Sequence, residues 1–122
     1  MILADTSVWI DHFRSGDIEL RRRLNQSQIV IHPMVIAELA LGSLKDRANT
    51  LRLLDSLPQV RVAQLHELRQ MIEARQLYGL GIGLTDAHLI ASVWLDAPTL
   101  LWTRDKPLRT VAEALGVHAR LP

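Results

Sequence analysis

The 122-residue chain contains no cysteine, and this absence excludes several kinds of chemistry. A protein without cysteine has no disulfide framework, no thiolate metal site and no thiol nucleophile. Aromatic residues are also scarce, at 4%, and the net charge is only +1, so the chain as a whole is not a polycation. The lack of cysteine agrees with a cytoplasmic location, where disulfides are rare.

The sequence also lacks the apolar segments that direct proteins to membranes. No apolar run approaches the roughly 20 residues of a membrane-spanning helix. The start of the chain shows no basic segment followed by a long apolar stretch, as a signal peptide would. We therefore expect a cytoplasmic protein with no membrane association. The hydrophobic content of 48% is sufficient for a core, and we expect one domain over residues 1–122.

Short apolar segments alternate with helical patterns along the chain. Strands are predicted at residues 2–4, 29–31, 60–62, 99–103 and 117–119. Helices are predicted over residues 7–14, 17–25, 33–42, 45–57 and 64–78, from residue 85 or 86 to residue 98, and from 105 to 116. Alternating strands and helices indicate a parallel sheet covered on both faces. The predicted fold class is α/β, a three-layer α/β/α sandwich with a parallel sheet of four to five strands.

The first acidic residue, Asp5, directly follows the first predicted strand. No other formally charged side chain lies near it in the sequence, so a remote group or a cation must satisfy it. Thr6 or Ser7 is predicted to cap the helix that follows. Alternatively, Asp5 itself accepts hydrogen bonds from the exposed amides of that helix.

Three further acids, Glu38, Asp86 and Asp105, have a similar setting. Glu38 and Asp86 are each the only formal charge in their segment, whereas Asp105 has basic neighbours but follows a strand directly, as Asp5 does. Asp86 and Asp105 are also plausible helix N-caps, each worth about 1 kcal/mol. Glu38 is harder to explain structurally, because it shares a helical stripe with apolar residues and an unpaired charge there is costly.

The four acids, Asp5, Glu38, Asp86 and Asp105, are expected to converge at one end of the sheet. Ligands of open α/β sheets bind outside the carboxyl ends of the strands. Four carboxylates in one pocket repel each other, and their proton affinities rise. A hard divalent cation such as Mg²⁺ or Mn²⁺, which prefers oxygen ligands, would relieve this repulsion. The five histidines are too scattered to indicate zinc.

Four segments carry a resemblance to a known family. DTSVWID (5–11), VIAEL (35–39), TDAHLIA (85–91) and TRD (103–105), in this order, resemble the PIN-domain ribonucleases, and most of all the VapC toxins of bacterial type II toxin–antitoxin modules. The resemblance covers essentially the whole chain and implies a single PIN domain over residues 1–122. The chain departs from the family pattern after its last acid, where KPL stands in place of a frequent aromatic residue.

The resemblance implies a metal-dependent endoribonuclease with Asp5, Glu38, Asp86 and Asp105 as catalytic residues. Asp5 and Asp86 would be the principal ligands of Mg²⁺, with Mn²⁺ as a substitute. The resemblance further implies an RNA substrate, a cognate antitoxin protein that neutralises the activity, and a homodimer. Thr6, Ser7 and Thr103 are candidates to support the acids.

Basic residues are needed at the rim of such a negative pocket, because RNA is also negative. Arg104, Lys106 and the run Arg21–Arg23 are the candidates. A charge run is more commonly a solvated helix face, and that interpretation stays open here.

Two alternative functions remain. One is a non-catalytic, RNA-binding PIN-like module, which would not need all of the acids. The other is a Mg-dependent phosphohydrolase with Asp5 as nucleophile. Phosphohydrolases of the haloacid-dehalogenase type carry a second aspartate two residues later, and this chain has Ser7 there.

Overall fold

The computed structural model describes all residues from Met1 to Pro122. Its strands are β1 (Ile2–Ala4), β2 (Ile29–Val30) and β3 (Leu100–Trp102). Its helices are α1 (Thr6–Ser15), α2 (Ile18–Asn25), α3 (Pro33–Leu41), α4 (Arg47–Asp55), α5 (Leu65–Arg75), α6 (Leu84–Leu95) and α7 (Lys106–Ala114). No helix combines the length and the apolar character required to cross a membrane.

The three strands form one parallel sheet in the order β2-β1-β3. Ile2 of β1 pairs with Ile29 on one side and with Leu100 on the other. Parallel neighbours require crossover connections, and the helices that make these connections cover the sheet in an α/β/α arrangement. The predicted fold class is confirmed.

The predicted number of strands, four to five, was wrong. Residues 60–62 and 117–119 do not form strands, and each sheet edge instead carries a single parallel bridge, Ile31 with Gln59 and Leu101 with His118. Pro58 accepts a hydrogen bond from Ile31 through its carbonyl oxygen, but it has no amide hydrogen to extend the ladder. An edge segment also has a partner on one side only, so little favours its extension.

The helix boundaries follow the sequence signals closely. α3 begins at Pro33, as predicted, and His32 caps it. The expectation that residues 64–78 form the longest helix was wrong, because α5 has 11 residues and α6 has 12. α5 ends where Gln76 adopts a left-handed conformation with φ of 53°. A loop with positive φ at Gly79 and Gly81 then leads into α6.

The hydrophobic core holds the strand ends rigidly. The side chains of Leu3, Val30 and Leu101 are buried in it, and Trp102 is fully buried. The indole Nε1 of Trp102 donates a hydrogen bond of 3.2 Å to the carbonyl oxygen of Pro122, which ties the C-terminus to β3. The residues that follow β1 and β3 therefore start from well-defined positions.

Candidate active site

Asp5 lies at the carboxyl end of β1 and caps α1. Its carboxylate accepts hydrogen bonds from the amides of Ser7, at 2.9 Å, and Val8, at 3.3 Å. The hydroxyls of Ser7 and Thr103 also donate to it. The N-cap is therefore Asp5, and the prediction that Thr6 or Ser7 caps this helix was wrong.

These contacts use the two oxygens of Asp5 unequally. Oδ1 accepts all three hydrogen bonds from Ser7 and Val8, whereas Oδ2 accepts only the one from Thr103. A carboxylate oxygen has two lone pairs, so Oδ2 keeps capacity for a further partner. Burial raises the pKa of Asp5, while the hydrogen bonds lower it and only partly offset the burial.

Glu38 lies on α3 and is exposed. Its Oε1 accepts a hydrogen bond of 2.6 Å from the hydroxyl of Thr6. The expectation of a costly charge on an apolar helical stripe was wrong, because the side chain reaches solvent and has a polar partner.

Asp86 is the third residue of α6, and Gly83 is the N-cap. The prediction that the helix begins at residue 85 or 86 was therefore slightly late. The Oδ2 atom of Asp86 accepts a hydrogen bond of 3.4 Å from the amide of Gly83. Burial raises the pKa of Asp86, and the carboxylates of Asp105, Asp5 and Glu38 raise it further. The other three acids therefore lie near enough to Asp86 to raise its pKa.

Asp105 caps α7, as predicted, by accepting a hydrogen bond of 3.1 Å from the amide of Leu108. Its own amide donates to the hydroxyl of Thr103 at 3.0 Å. Since that hydroxyl also donates to Asp5, Thr103 connects the acids that follow β1 and β3. Asp105 itself is exposed.

The donor set fits a hard divalent cation, although not as a closed cage. No three acidic or histidine side chains lie close enough together to form a ready-made three-ligand site. Mg²⁺ usually takes one or two carboxylates and completes its shell with water and substrate oxygens, so an open site suits it. The raised pKa values of Asp5 and Asp86 indicate that their negative charge is poorly compensated within the protein. A bound cation would compensate it.

The sequence suggested Arg104 as a free cation at the rim of the pocket, but the structure shows that it is paired. Its guanidinium forms ion pairs with Asp11, at 2.7 Å, and with Asp17, at 2.5 Å. Its Nε donates to the carbonyl oxygen of Pro122 at 3.0 Å. Arg104 therefore joins β3 to α1, α2 and the C-terminus, and its charge is already neutralised. No local sequence signal pointed to these partners, which lie 93 and 87 positions away.

The other basic candidates differ in their freedom to contact RNA. Arg22 and Arg23 both pair with Glu19 on the same helix, whereas Arg21 is exposed and forms no ion pair. Lys106 is exposed, forms no ion pair and directly follows Asp105 in the chain.

A groove of about 520 Å³ runs along α1 and α3 and includes one of the four acids, Glu38. Its walls combine apolar, basic and small polar residues with one acid: Ile10, Phe13, Arg14, Glu38, Leu39, Gly42, Ser43, Leu44, Lys45 and Thr50. Glu38 belongs both to this groove and to the group of four acids. Two cations, Arg14 and Lys45, therefore lie along the same groove as one of the candidate catalytic carboxylates.

Comparison with known proteins identifies the family. Residues 2–114 match the PIN domain family. The chain belongs to the PIN-domain family. It is 45% identical to Ribonuclease VapC32 of Mycobacterium tuberculosis over 117 residues, which cover 96% of this chain and 94% of that protein. It is 32% identical to Ribonuclease VapC11 of the same species and to VapC ribonuclease Mb1587 of Mycobacterium bovis, over 98% of this chain and 97% of either relative.

Proposed function

We propose that this PIN-domain protein is a metal-dependent endoribonuclease of the VapC type, which hydrolyses phosphodiester bonds in RNA. The observation that carries the proposal is that Thr103 joins Asp5 and Asp105 by hydrogen bonds, while Asp5, Glu38 and Asp105 lie near enough to Asp86 to raise its pKa. The names of its relatives, all of them ribonucleases, support an RNA substrate. The ordered support of Asp5 by Thr103 supports a prebuilt site.

Asp5 and Asp86 would hold Mg²⁺, with Mn²⁺ as a substitute. A bound divalent ion supplies Lewis acidity toward the phosphoryl oxygen and lowers the pKa of its bound water. Asp5 suits this role because its hydrogen bonds fix the carboxylate and leave capacity on Oδ2. Asp86 suits it because its raised pKa makes it a strong acceptor for a cation.

Glu38 is the best placed of the four acids to accept a proton from the attacking water. Thr6 orients its Oε1, while Oε2 has no hydrogen-bond partner in the protein and is exposed to solvent. A general base must reach the proton that it abstracts, and an exposed, oriented carboxylate satisfies this requirement. Asp105 completes the acidic pocket, where its position depends on Thr103.

RNA would approach along the free cations around the pocket. Lys106 stands beside Asp105, and Arg14 and Lys45 line the groove that includes Glu38. Cations at the rim offset the repulsion between the acids and the phosphates of RNA. RNA regions that are not base-paired fit best, because their backbone is accessible.

We further propose that a cognate antitoxin protein neutralises the activity, and that the protein acts in the cytoplasm as a homodimer. The groove supports the antitoxin proposal, because Ile10 and Phe13 are partly exposed apolar residues next to a catalytic carboxylate. A segment seated there would cover Glu38 and block the approach of RNA.

The decisive experiment compares the wild type with the Asp5→Asn variant in growing bacteria, followed by mapping of RNA 5′ ends. Wild type should arrest growth and produce discrete cut sites, whereas Asp5→Asn should do neither. The amide retains an acceptor for Ser7 and Val8, so the fold should persist. Asp55→Asn, at an exposed position at the end of α4, is the matched control and should behave as wild type.

The alternatives predict different outcomes. Growth arrest by both the wild type and Asp5→Asn, without cut sites, would indicate a non-catalytic RNA-binding module. A phosphohydrolase with Asp5 as nucleophile would cleave small phosphomonoesters in preference to RNA. The burial of Asp5 (4% exposed) and the three hydrogen bonds to its Oδ1 argue against that role.

A further inference from the structure

Two histidines meet in the protein interior between helices that carry candidate catalytic acids. His32 is buried at the start of α3, the helix of Glu38. His88 lies on α6, the helix of Asp86. Their ring centroids are 5.9 Å apart and the ring planes are inclined by 53°. Each ring has one buried nitrogen, Nε2 of His32 and Nδ1 of His88, without a hydrogen-bond partner.

The contacts of His32 determine which of its nitrogens carries the proton. Its Nδ1 accepts a hydrogen bond of 3.0 Å from the amide of Met34, so a neutral ring must carry its hydrogen on Nε2. The ring is neutral, because burial and the neighbouring His88 lower the pKa of His32 to about 4. His32 therefore presents a donor at its unpartnered nitrogen. An acceptor at Nδ1 of His88 would complement it, which requires the His88 hydrogen to be on Nε2.

Few other contacts join α3 to α6. α3 packs mainly against α1 and α4, whereas α6 packs mainly against α5 and β3. The distance between Glu38 and Asp86 therefore depends on contacts that cross from one group of helices to the other. The His32–His88 contact is such a crossing, and it is buried and polar. Buried donors and acceptors are costly when unpaired, so a water that bridges the two unpartnered nitrogens would hold the two helices together.

We propose that His32 and His88 are positioning residues. Nε2–H of His32 and Nδ1 of His88 share one bridging water, which accepts from His32 and donates to His88, and this link holds the helix of Asp86, a proposed ligand of the cation, in place beside the helix of Glu38. The inference rests on the proposed metal-dependent function. It adds a role for two histidines that contact none of the candidate reacting atoms.

The test measures Mn²⁺ affinity together with thermal stability. His32→Asn keeps an acceptor for the amide of Met34, but it removes the Nε2 donor. We expect a loss of about tenfold in Mn²⁺ affinity, at the lower end of what supporting residues of metal sites show. The melting temperature should also fall, because Asn fills less of the space that the buried His32 occupies. His32→Gln restores an N–H at the distance of Nε2 and weakens the cap. It should recover Mn²⁺ affinity and melt at a lower temperature.

His12→Asn is the matched control. The Nδ1 of His12 also accepts a backbone hydrogen bond, from the amide of Asp17 at 3.1 Å, but the His12 ring packs against Trp9 and Phe13 on its own helix. This variant should bind Mn²⁺ as wild type does. A double-mutant cycle adds His88→Leu. The His32→Asn/His88→Leu protein should bind Mn²⁺ no more weakly than the single variant with the lower Mn²⁺ affinity.

The tautomers provide a readout that is independent of metal and of RNA. Imidazole ¹⁵N chemical shifts of the metal-free protein should place the hydrogen on Nε2 in both His32 and His88. A hydrogen on Nδ1 of His88 would remove the acceptor that the proposed link requires and would overturn the proposal. The proposal would also be overturned if wild type binds Mn²⁺ and His32→Asn binds it equally tightly. A wild type that binds no Mn²⁺ would instead overturn the metal-dependent function itself, and this positioning role with it.

Discussion

The hydroxyl of Thr103 donates a hydrogen bond to the carboxylate of Asp5, although 98 positions separate the two residues in the chain. The contact exists because β1 and β3 are parallel neighbours, with Ala4 paired to Trp102, so that both strands end at the same edge. The same hydroxyl accepts a hydrogen bond from the amide of Asp105. One neutral side chain therefore orients two of the four acids without adding a charge that would compete with a cation.

Replacing Thr103 by valine, which has the same shape, should shift the pH profile of RNA cleavage. Burial raises the pKa of Asp5, and the hydrogen bond from Thr103 lowers it, so its loss should raise the pKa further. Asp5 must be ionised to hold a cation, and the acidic limb of the rate profile should therefore move to higher pH. We expect about a tenfold loss of activity at neutral pH.

The control for this experiment is Thr110→Val. Thr110 is exposed on α7 and donates only to the carbonyl oxygen of Lys106. It should retain the wild-type profile. An unshifted acidic limb in Thr103→Val would show that this hydrogen bond does not tune Asp5.

Asp86→Asn should increase the stability of the metal-free protein at neutral pH. Burial and the other three carboxylates raise the pKa of Asp86 in the folded state. A group with a raised folded-state pKa contributes stability at low pH and loses that contribution as the pH rises through the folded-state pKa. Because Asn does not ionise, the variant keeps this stability as the pH rises. Its side-chain oxygen can still accept a hydrogen bond from the amide of Gly83. Melting curves in a chelator should show the variant above wild type at pH 7, with the gap closing toward pH 4.

A lower melting temperature for Asp86→Asn at both pH values would contradict this account. It would indicate that the ionised carboxylate is needed for the hydrogen bond to Gly83 at the start of α6. Binding of Mn²⁺ separates the two effects, since the variant should show little stabilisation by the metal in either case.

Mg²⁺ or Mn²⁺ should stabilise the wild-type protein. At a metal concentration 100 times the dissociation constant, binding to the native state alone adds about 2.7 kcal/mol to the free energy of unfolding. For a chain of this size that corresponds to a rise of roughly 10 °C in melting temperature. Asp5→Asn should show little of this rise, because the better-ordered of the two proposed ligands is gone. No shift for wild type in millimolar metal would count against a formed site.

Arg104→Gln should lower stability and leave the salt dependence of RNA binding unchanged. Burial raises the pKa of Asp17, but the hydrogen bonds from Leu20 and Arg104 outweigh it and hold this pKa below its ordinary value. Loss of the guanidinium leaves the half-buried carboxylate without its ion pair, at a cost of about 2 kcal/mol. Denaturant unfolding measures this cost.

RNA binding by Arg104→Gln is best measured in the Asp5→Asn background, which should not cleave. Because Arg104 is already paired, the slope of log K against log salt should stay as in the parent. Lys106→Gln, the comparison variant, should reduce the slope by about 0.7, the contribution of one phosphate contact on a single strand. A reduced slope for Arg104→Gln would show that its ion pairs open when RNA binds.

The local elements and their order were predictable from the sequence. Apolar runs mark the three strands, Pro33 marks the start of α3, and Asp105 is recognisable as the cap of α7. The shared edge of Asp5 and Asp105 was also predictable, because parallel strands bring their carboxyl ends to one edge. The edge strands were not predictable, since an apolar segment forms a strand only if its neighbour offers a run of free partners, and each edge here offers a single bridge.

The sequence by itself determined the class of fold, through the order of strands and helices. It also indicated the kind of chemistry, through four acids of which three have no local counter-charge. Only the tertiary structure decided which side chains pair with each other. Arg104 forms ion pairs with Asp11 and Asp17, and Thr103 donates a hydrogen bond to Asp5. These partners lie some 90 positions apart in the chain. Periodicity and capping signals describe neighbours within one element, whereas pairing across the sheet depends on how the elements pack.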